Sequence, residues 1–174
     1  MVETSGVVEV TSAHRRVAWR TILALLTLVL GPVTEAAAWT LRPVPTGAGG
    51  TARCVMESER QMVRDGYQDS WAQIVVDDKS VRVTTGSELD LGDRDIGVVV
   101  DEGGFVVADD VTGAKTVVFT TRYQTMIDDF KRGLRARVQL RFWPTWPKTG
   151  THSATFSLIG FTRTHAGMAE CRTP

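Results

Sequence analysis

The chain has 174 residues, with 20 basic and 20 acidic side chains, so its formal net charge is zero. That balance argues against nucleic acid as a partner, since no large excess of basic charge is available to neutralise phosphates. Only two cysteines and three histidines are present, so most metal-ligand and thiol chemistries lack the residues they need.

The first 38 residues have the order of a secretory signal peptide. Arg15, Arg16 and Arg20 precede an apolar run from Thr21 to Leu30, Gly31-Pro32 breaks it, and Ala36-Ala37-Ala38 stand before Trp39. Cleavage is expected between Ala38 and Trp39. The apolar run is about half the roughly 20 residues that a membrane-spanning helix needs. Membrane contact is therefore expected only through the signal peptide before cleavage, and the protein is expected in the periplasm or secreted. Residues 39–174 are then a single exported domain. In an oxidising compartment Cys54 and Cys171 are expected to form a disulfide that closes almost the whole domain into one loop.

Along that domain, short β-rich runs recur between turn signals. After an N-terminal strand and the Pro43–Thr51 loop come Cys54–Glu57, Trp71–Val76 and Val81–Thr85, the last two joined by the turn Asp77-Asp78-Lys79-Ser80. Ile96–Val100, Phe105–Ala108 and Thr116–Thr121 follow. Thr125 is expected to cap a short helix that ends at Arg132 before Gly133, burying Met126, Ile127 and Phe130. From Arg135 to Phe142 the alternation is strict. Ala136, Val138, Leu140 and Phe142 point one way, and Arg135, Arg137, Gln139 and Arg141 the other. His152–Leu158 alternates again and should pair with it. Thr162–Glu170 is expected to be a helical turn that carries Cys171. The pattern predicts an all-β fold, an antiparallel β-sandwich or barrel of about eight short strands with one short helix. Charge is uneven along the sequence: residues 55–110 hold 14 acidic and 5 basic side chains, residues 111–174 hold 3 and 10. Interleaved strands are expected to average this out.

Val98-Val99-Val100-Asp101, the segment Lys131-Arg132-Gly133-Leu134, the alternating strand, and Phe156-Ser157-Leu158-Ile159-Gly160-Phe161-Thr162-Arg163 together resemble the invasion-associated locus B family. The likeness covers roughly Ile96 to Ala169. It implies a small exported proteobacterial β-domain without known catalysis, in a family linked in pathogens to host-cell entry. Members commonly carry a cysteine pair in the segment matching Asp109–Val118; this chain has none there, and any activity tied to that pair does not carry over.

Candidate chemistry is sparse. Glu88, Asp90, Asp93 and Asp95 lack the spacing of a calcium loop and read as a solvated turn, as do Asp77-Asp78 and Asp109-Asp110. His152 is expected at the core edge and His165 on an exposed helix; no Gly-x-Ser-x-Gly elbow is present. No catalytic, cofactor-binding or metal-binding residue is assigned, and no cofactor is expected. The best binding candidate is the loop holding Trp143 and Trp146, stiffened by Pro144 and Pro147, with Lys148 beside it and the row Arg135, Arg137, Arg141 nearby. Both indoles are nevertheless expected to fold back over the open end of the fold. The sequence thus points to a non-enzymatic domain acting by surface recognition of a protein or envelope polymer. One alternative is glycan or cell-envelope polymer binding through Trp143 and Trp146. Another is a small hydrolase with a carboxylate pair.

Overall fold

A strand whose apolar side chains all lie on one side is stable only when that side is covered. In the computed structural model two antiparallel sheets contribute such sides to one core. Residues 38–45, 53–90, 95–144 and 150–171 are described. The expected signal peptide, Ala38 excepted, lies outside them, as do Trp146 and Lys148.

In chain order the strands are β1 (Trp39–Val44), β2 (Arg53–Ser58), β3 (Gln61–Arg64), β4 (Asp69–Val76), β5 (Val81–Thr85), β6 (Gly97–Val100), β7 (Val106–Val107), β8 (Asp110–Thr112) and β9 (Thr116–Phe119). Helix α1 (Tyr123–Arg132), β10 (Arg135–Leu140), β11 (His152–Ser157) and helix α2 (Phe161–Glu170) follow. The larger sheet runs β1-β2-β4-β5-β9-β8, with β3 also paired to β4; the smaller runs β11-β10-β6-β7. Both sheets have free ends, so the all-β fold is sandwich-like and not a closed barrel.

Eleven strands among the described residues exceed the expected number, chiefly through β3 and β8. Only Val63 of β3 is buried, and β8 buries nothing fully. Neither offers an alternating apolar row to read. β2 and β3 share one side of β4, at Val75–Val76 and Asp69–Ala72 respectively. Ser58 fills the gap between them, its hydroxyl accepting from the Ile74 N–H at 2.9 Å. β5 and β9 follow the predicted runs and place Val81, Val83, Val117 and Phe119 inside.

The core is aromatic at its centre. Phe161 meets Trp39 and Phe130 edge-on, at centroid distances of 5.0 and 5.3 Å, the arrangement the ring quadrupoles favour. Trp39, the residue after the expected cleavage site, is buried, and its indole N–H donates to the Ser157 carbonyl at 2.8 Å. β1 of the larger sheet is thereby tied to β11 of the smaller. Truncating Phe161 would remove the shared ring of this stack.

Helix α1 begins two residues before the expected cap at Thr125, and the residue preceding it, Arg122, makes no side-chain cap bond. Two contacts account for the earlier start. The Tyr123 hydroxyl donates to the Asp77 carbonyl at 2.8 Å, and Asp109 accepts from the Thr120 and Thr121 N–H groups just upstream. Met126, Ile127 and Phe130 are buried as expected. The expected C-terminal turn is a ten-residue helix, α2, entered through Gly160 at φ +87°, a backbone angle that side chains with a Cβ rarely adopt. Its end carries Cys171, which is disulfide-bonded to Cys54 of β2 with a Cα–Cα distance of 5.9 Å.

Three aspartates hold the turns of the larger sheet. Asp65 accepts from the N–H groups of Tyr67 and Gln68, and Asp77 from those of Lys79 and Ser80, closing the turns before and after β4. Asp109 caps the segment leading into α1. Burial pushes each carboxyl up, but the hydrogen bonds prevail and hold all three below the ordinary aspartate value. For Asp65 the Ser87 hydroxyl adds to the backbone donors, and for Asp77 the Arg82 guanidinium does so.

Candidate binding surfaces

The surface nominated by the sequence is only partly assembled. β10 pairs with β11 and β6 so that Arg135 lies opposite Ser157, and Arg137 between Thr155 and Val99. Both guanidinium groups are exposed and line a shallow depression of about 360 Å³ with Asp101, Glu102 and Thr155. Asp101 is turned to the backbone, accepting from the N–H groups of Leu134 and Arg135.

Arg141 is the correction. Alternation assigns it to the same exposed row, yet it is buried and ion-paired with Asp95, its Nε lying 3.0 and 3.2 Å from the two carboxylate oxygens. The cause is tertiary. Past Leu140 the chain leaves β11 and pairs with residues 88–90, through the Leu89–Phe142 bridge, Asp90 N–H to the Arg141 carbonyl and Trp143 N–H to the Glu88 carbonyl. Asp95 also engages the next residue of the row, its carbonyl accepting from the Gln139 amide at 2.7 Å. Trp143 departs from expectation too. It does not fold back but stands 58% exposed.

A second surface was not nominated. On the outer face of the larger sheet, Trp71, Gln73 and Val75 of β4 alternate with the buried Ala72, Ile74 and Val76. With Arg42, Arg60, Arg82 and neighbouring threonines they line a depression of about 460 Å³. The Arg60 guanidinium lies over the Trp71 ring, 4.1 Å from its centroid, a cation–π contact. Gly86 makes room for that indole, since a Cβ there would come within 2.8 Å of Trp71 Nε1. Two of the arginines are held by acids: Arg42 by Glu57, and Arg82 by Asp77 at 3.1 Å. Arg60 reaches the Gln73 amide oxygen, at 3.5 Å, and no carboxylate among the described residues. Register across the face sets Gln73 beside Thr84, and Thr84 beside Thr116. The sequence signal for this face is the outward half of β4, Trp71, Gln73 and Val75, whose mixed character does not mark it as a surface.

A third depression, about 270 Å³, lies between the β6–β7 hairpin and the end of α1 and holds two acids, Asp101 and Asp129. Both are engaged, Asp101 as above and Asp129 by Arg132 at 2.8 Å. The histidines pack against rings. His152 is tilted on Phe142 at 5.7 Å, its Nε2 buried without a hydrogen-bond partner among the described residues. His165, expected in the open, stacks on Phe161 at 5.6 Å. Burial there, and secondarily the charge of Lys131, lowers its pKa. Among the described residues no three His, Cys, Asp or Glu side chains group as a metal site.

No family model and no curated protein sequence matches the chain. Among solved structures it is similar to invasion associated protein B from Bartonella henselae. That likeness covers 77% of this chain and 93% of the other, at 15% identity and a TM-score of 0.51. The two proteins share a fold. The relationship is structural, and membership of a sequence family does not follow from it.

Proposed function

We propose that this protein is an exported, non-enzymatic domain that recognises an envelope or host-surface polymer or protein with the outer face of its larger sheet. The observation that carries the reading is Arg60 stacked on Trp71 above an open, polar depression of about 460 Å³. An aromatic ring and a guanidinium fork held together on a rigid sheet are the kind of anchor that dominates binding surfaces. Export is supported by the Cys54–Cys171 bridge, which persists only where thiols oxidise, and by the signal-peptide order of residues 1–38. The name of the Bartonella protein with the same fold associates that protein with invasion, in keeping with a target outside the cytosol. Against catalysis, the two acids of the depression beside α1 serve as structural acceptors, and both described histidines lie against aromatic rings.

The test is chemical-shift mapping of the labelled protein during titration with solubilised envelope polymers. Perturbations at Trp71, Gln73 and Thr84 are expected. Shifts confined to the depression beside α1, or turnover of the polymer, would remove the reading. A second reading rests on the exposure of Trp143, at the start of a loop whose sequence adds Trp146 and Lys148, as a glycan-binding tip. An unchanged titration with the Trp143→Ala/Trp146→Ala variant would dispose of it.

A further inference from the structure

We infer that the outer face of the larger sheet binds an anionic glycan, a saccharide chain bearing carboxylates of the uronic-acid kind. This inference rests on the reading of that face as the recognition surface and adds the chemistry of its ligand.

Charge comes first. Among the residues lining the depression, three guanidinium groups face one carboxylate, Glu57, while the chain as a whole is neutral. Arg42 is matched by Glu57, and Arg82 by Asp77, which Arg53 also approaches, at 3.6 Å. Among the described residues, Arg60 is the arginine of this face with no carboxylate against it; its contacts are the Gln73 amide and the Trp71 ring. A guanidinium held over an indole still has N–H groups to donate, in the fork geometry that binds a carboxylate with two hydrogen bonds. Asp110, at the far edge strand, accepts from its neighbour's N–H, that of Val111.

Geometry then selects a saccharide over an acidic peptide. The centre of the face belongs to strands paired on both sides, β2-β4-β5-β9, whose backbone groups bond one another, while Arg42 stands on the edge strand β1 and Arg60 just before β3, which pairs with β4 alone. A peptide strand therefore finds no main-chain ladder to extend over Gln73 and Thr84. What the face offers in register is the Thr84 hydroxyl beside that of Thr116, oxygens 3.4 Å apart, on the strand next to Gln73, whose amide donates to the Ser58 carbonyl at 2.8 Å and accepts from Arg60. Such a row suits ring hydroxyls. The flat indole also explains the placing of Arg60: with its ring covered by the guanidinium, Trp71 acts as the support of the anion site and not as a bare stacking platform for a neutral sugar.

The experiment is calorimetric titration of the purified protein with an oligogalacturonate and with the same oligomer methyl-esterified, which keeps the sugar skeleton and removes the charge. The acidic oligomer is expected to bind, with affinity falling as salt rises. The ester and the Arg60→Gln variant should each bind about tenfold more weakly or worse, the loss of one charge-assisted fork. Arg60→Lys should recover only part of the affinity, and Arg163→Gln, at an exposed position of α2, should show none of the loss. Equal binding of acid and ester, or wild-type affinity in Arg60→Gln, would overturn the anionic ligand. So would polyglutamate binding as tightly with the same dependence on Arg60. If neither oligomer binds while envelope polymers still shift Trp71 and Thr84, the ligand class falls and the recognition face stands.

Discussion

The outer faces of the two sheets spend their arginines differently. On the larger sheet they are organised, Arg42 and Arg82 by acids and Arg60 by an indole. On the smaller, Arg135 and Arg137 project from β10 with hydroxyl-bearing neighbours across the strand, while Arg141, two turns of the same alternation further, is drawn inside by Asp95. A row of like side chains in a sequence is therefore not a row of like environments. The larger sheet is also the one bridged to α2 through Cys54 and turned by three aspartates of lowered pKa. The difference teaches that the orientation of an exposed arginine is set by the side chain packed against it, an acid for Arg42 and Arg82 and an indole for Arg60.

The largest effect that would test this contrast is loss of the bridge. Cys54→Ser with Cys171→Ser should lower unfolding stability by up to about 4–5 kcal/mol, because the crosslink closes a loop of nearly the whole domain. Urea titration gives the magnitude. Hydrogen exchange should rise first in β2 and α2; a uniform rise, or one that begins in β10 and β11, would erase the asymmetry between the sheets.

Next comes the contrast within β10 and its extension. Arg141→Ala leaves Asp95 without its buried counter-charge and should cost about 3 kcal/mol. Arg137→Ala should stay within about 0.5 kcal/mol, as for an exposed side chain. Equal costs in thermal melts would contradict the inward placing of Arg141.

Acid should act on the larger sheet before the smaller. Asp65, Asp77 and Asp109 have lower pKa values folded than unfolded, so their contribution is fully present above the ordinary aspartate value of about 3.9 and is lost as pH falls through the lower folded values. Stability measured by denaturant titration should decline below about pH 4. Asp77→Asn should cost about 1–2 kcal/mol at neutral pH and flatten part of that decline. An unchanged acid profile in Asp77→Asn would show that its hydrogen bonds do not favour the charged form.

The smallest effect is at Arg60. Its exposed stacking on Trp71 should be worth about 0.5–1 kcal/mol in a double-mutant cycle of Arg60→Ala with Trp71→Leu. A coupling of zero would mean the pair does not hold its geometry in solution.

Much of the fold was legible. The strict alternation of residues 135–142 and 152–158 became β10, as far as Leu140, and β11, as far as Ser157, in register, because a period of two has one way to bury its apolar half. The apolar spacing of Met126, Ile127 and Phe130 became the inner side of α1. β3 was missed since it buries one side chain, and the length of α2 since its buried residues, Phe161 and Met168, are seven apart with polar residues between. Of the candidate surface, Arg135, Arg137 and Trp143 are exposed. The Arg60–Trp71 pair lies eleven positions apart in sequence, and only the fold of β4 beside the segment after β2 lays one upon the other.

What the sequence determined by itself was periodic or local: which positions alternate, where turn-forming aspartates stand, and that two cysteines were available to join. These follow from backbone geometry and nearest-neighbour hydrogen bonding, which act within a few residues. Tertiary structure decided what lies over each strand's polar side, and so which arginine is buried, which is free and which is set on an indole. That choice depends on segments distant along the chain meeting in space, as Asp95 meets Arg141, and no short-range pattern encodes such meetings.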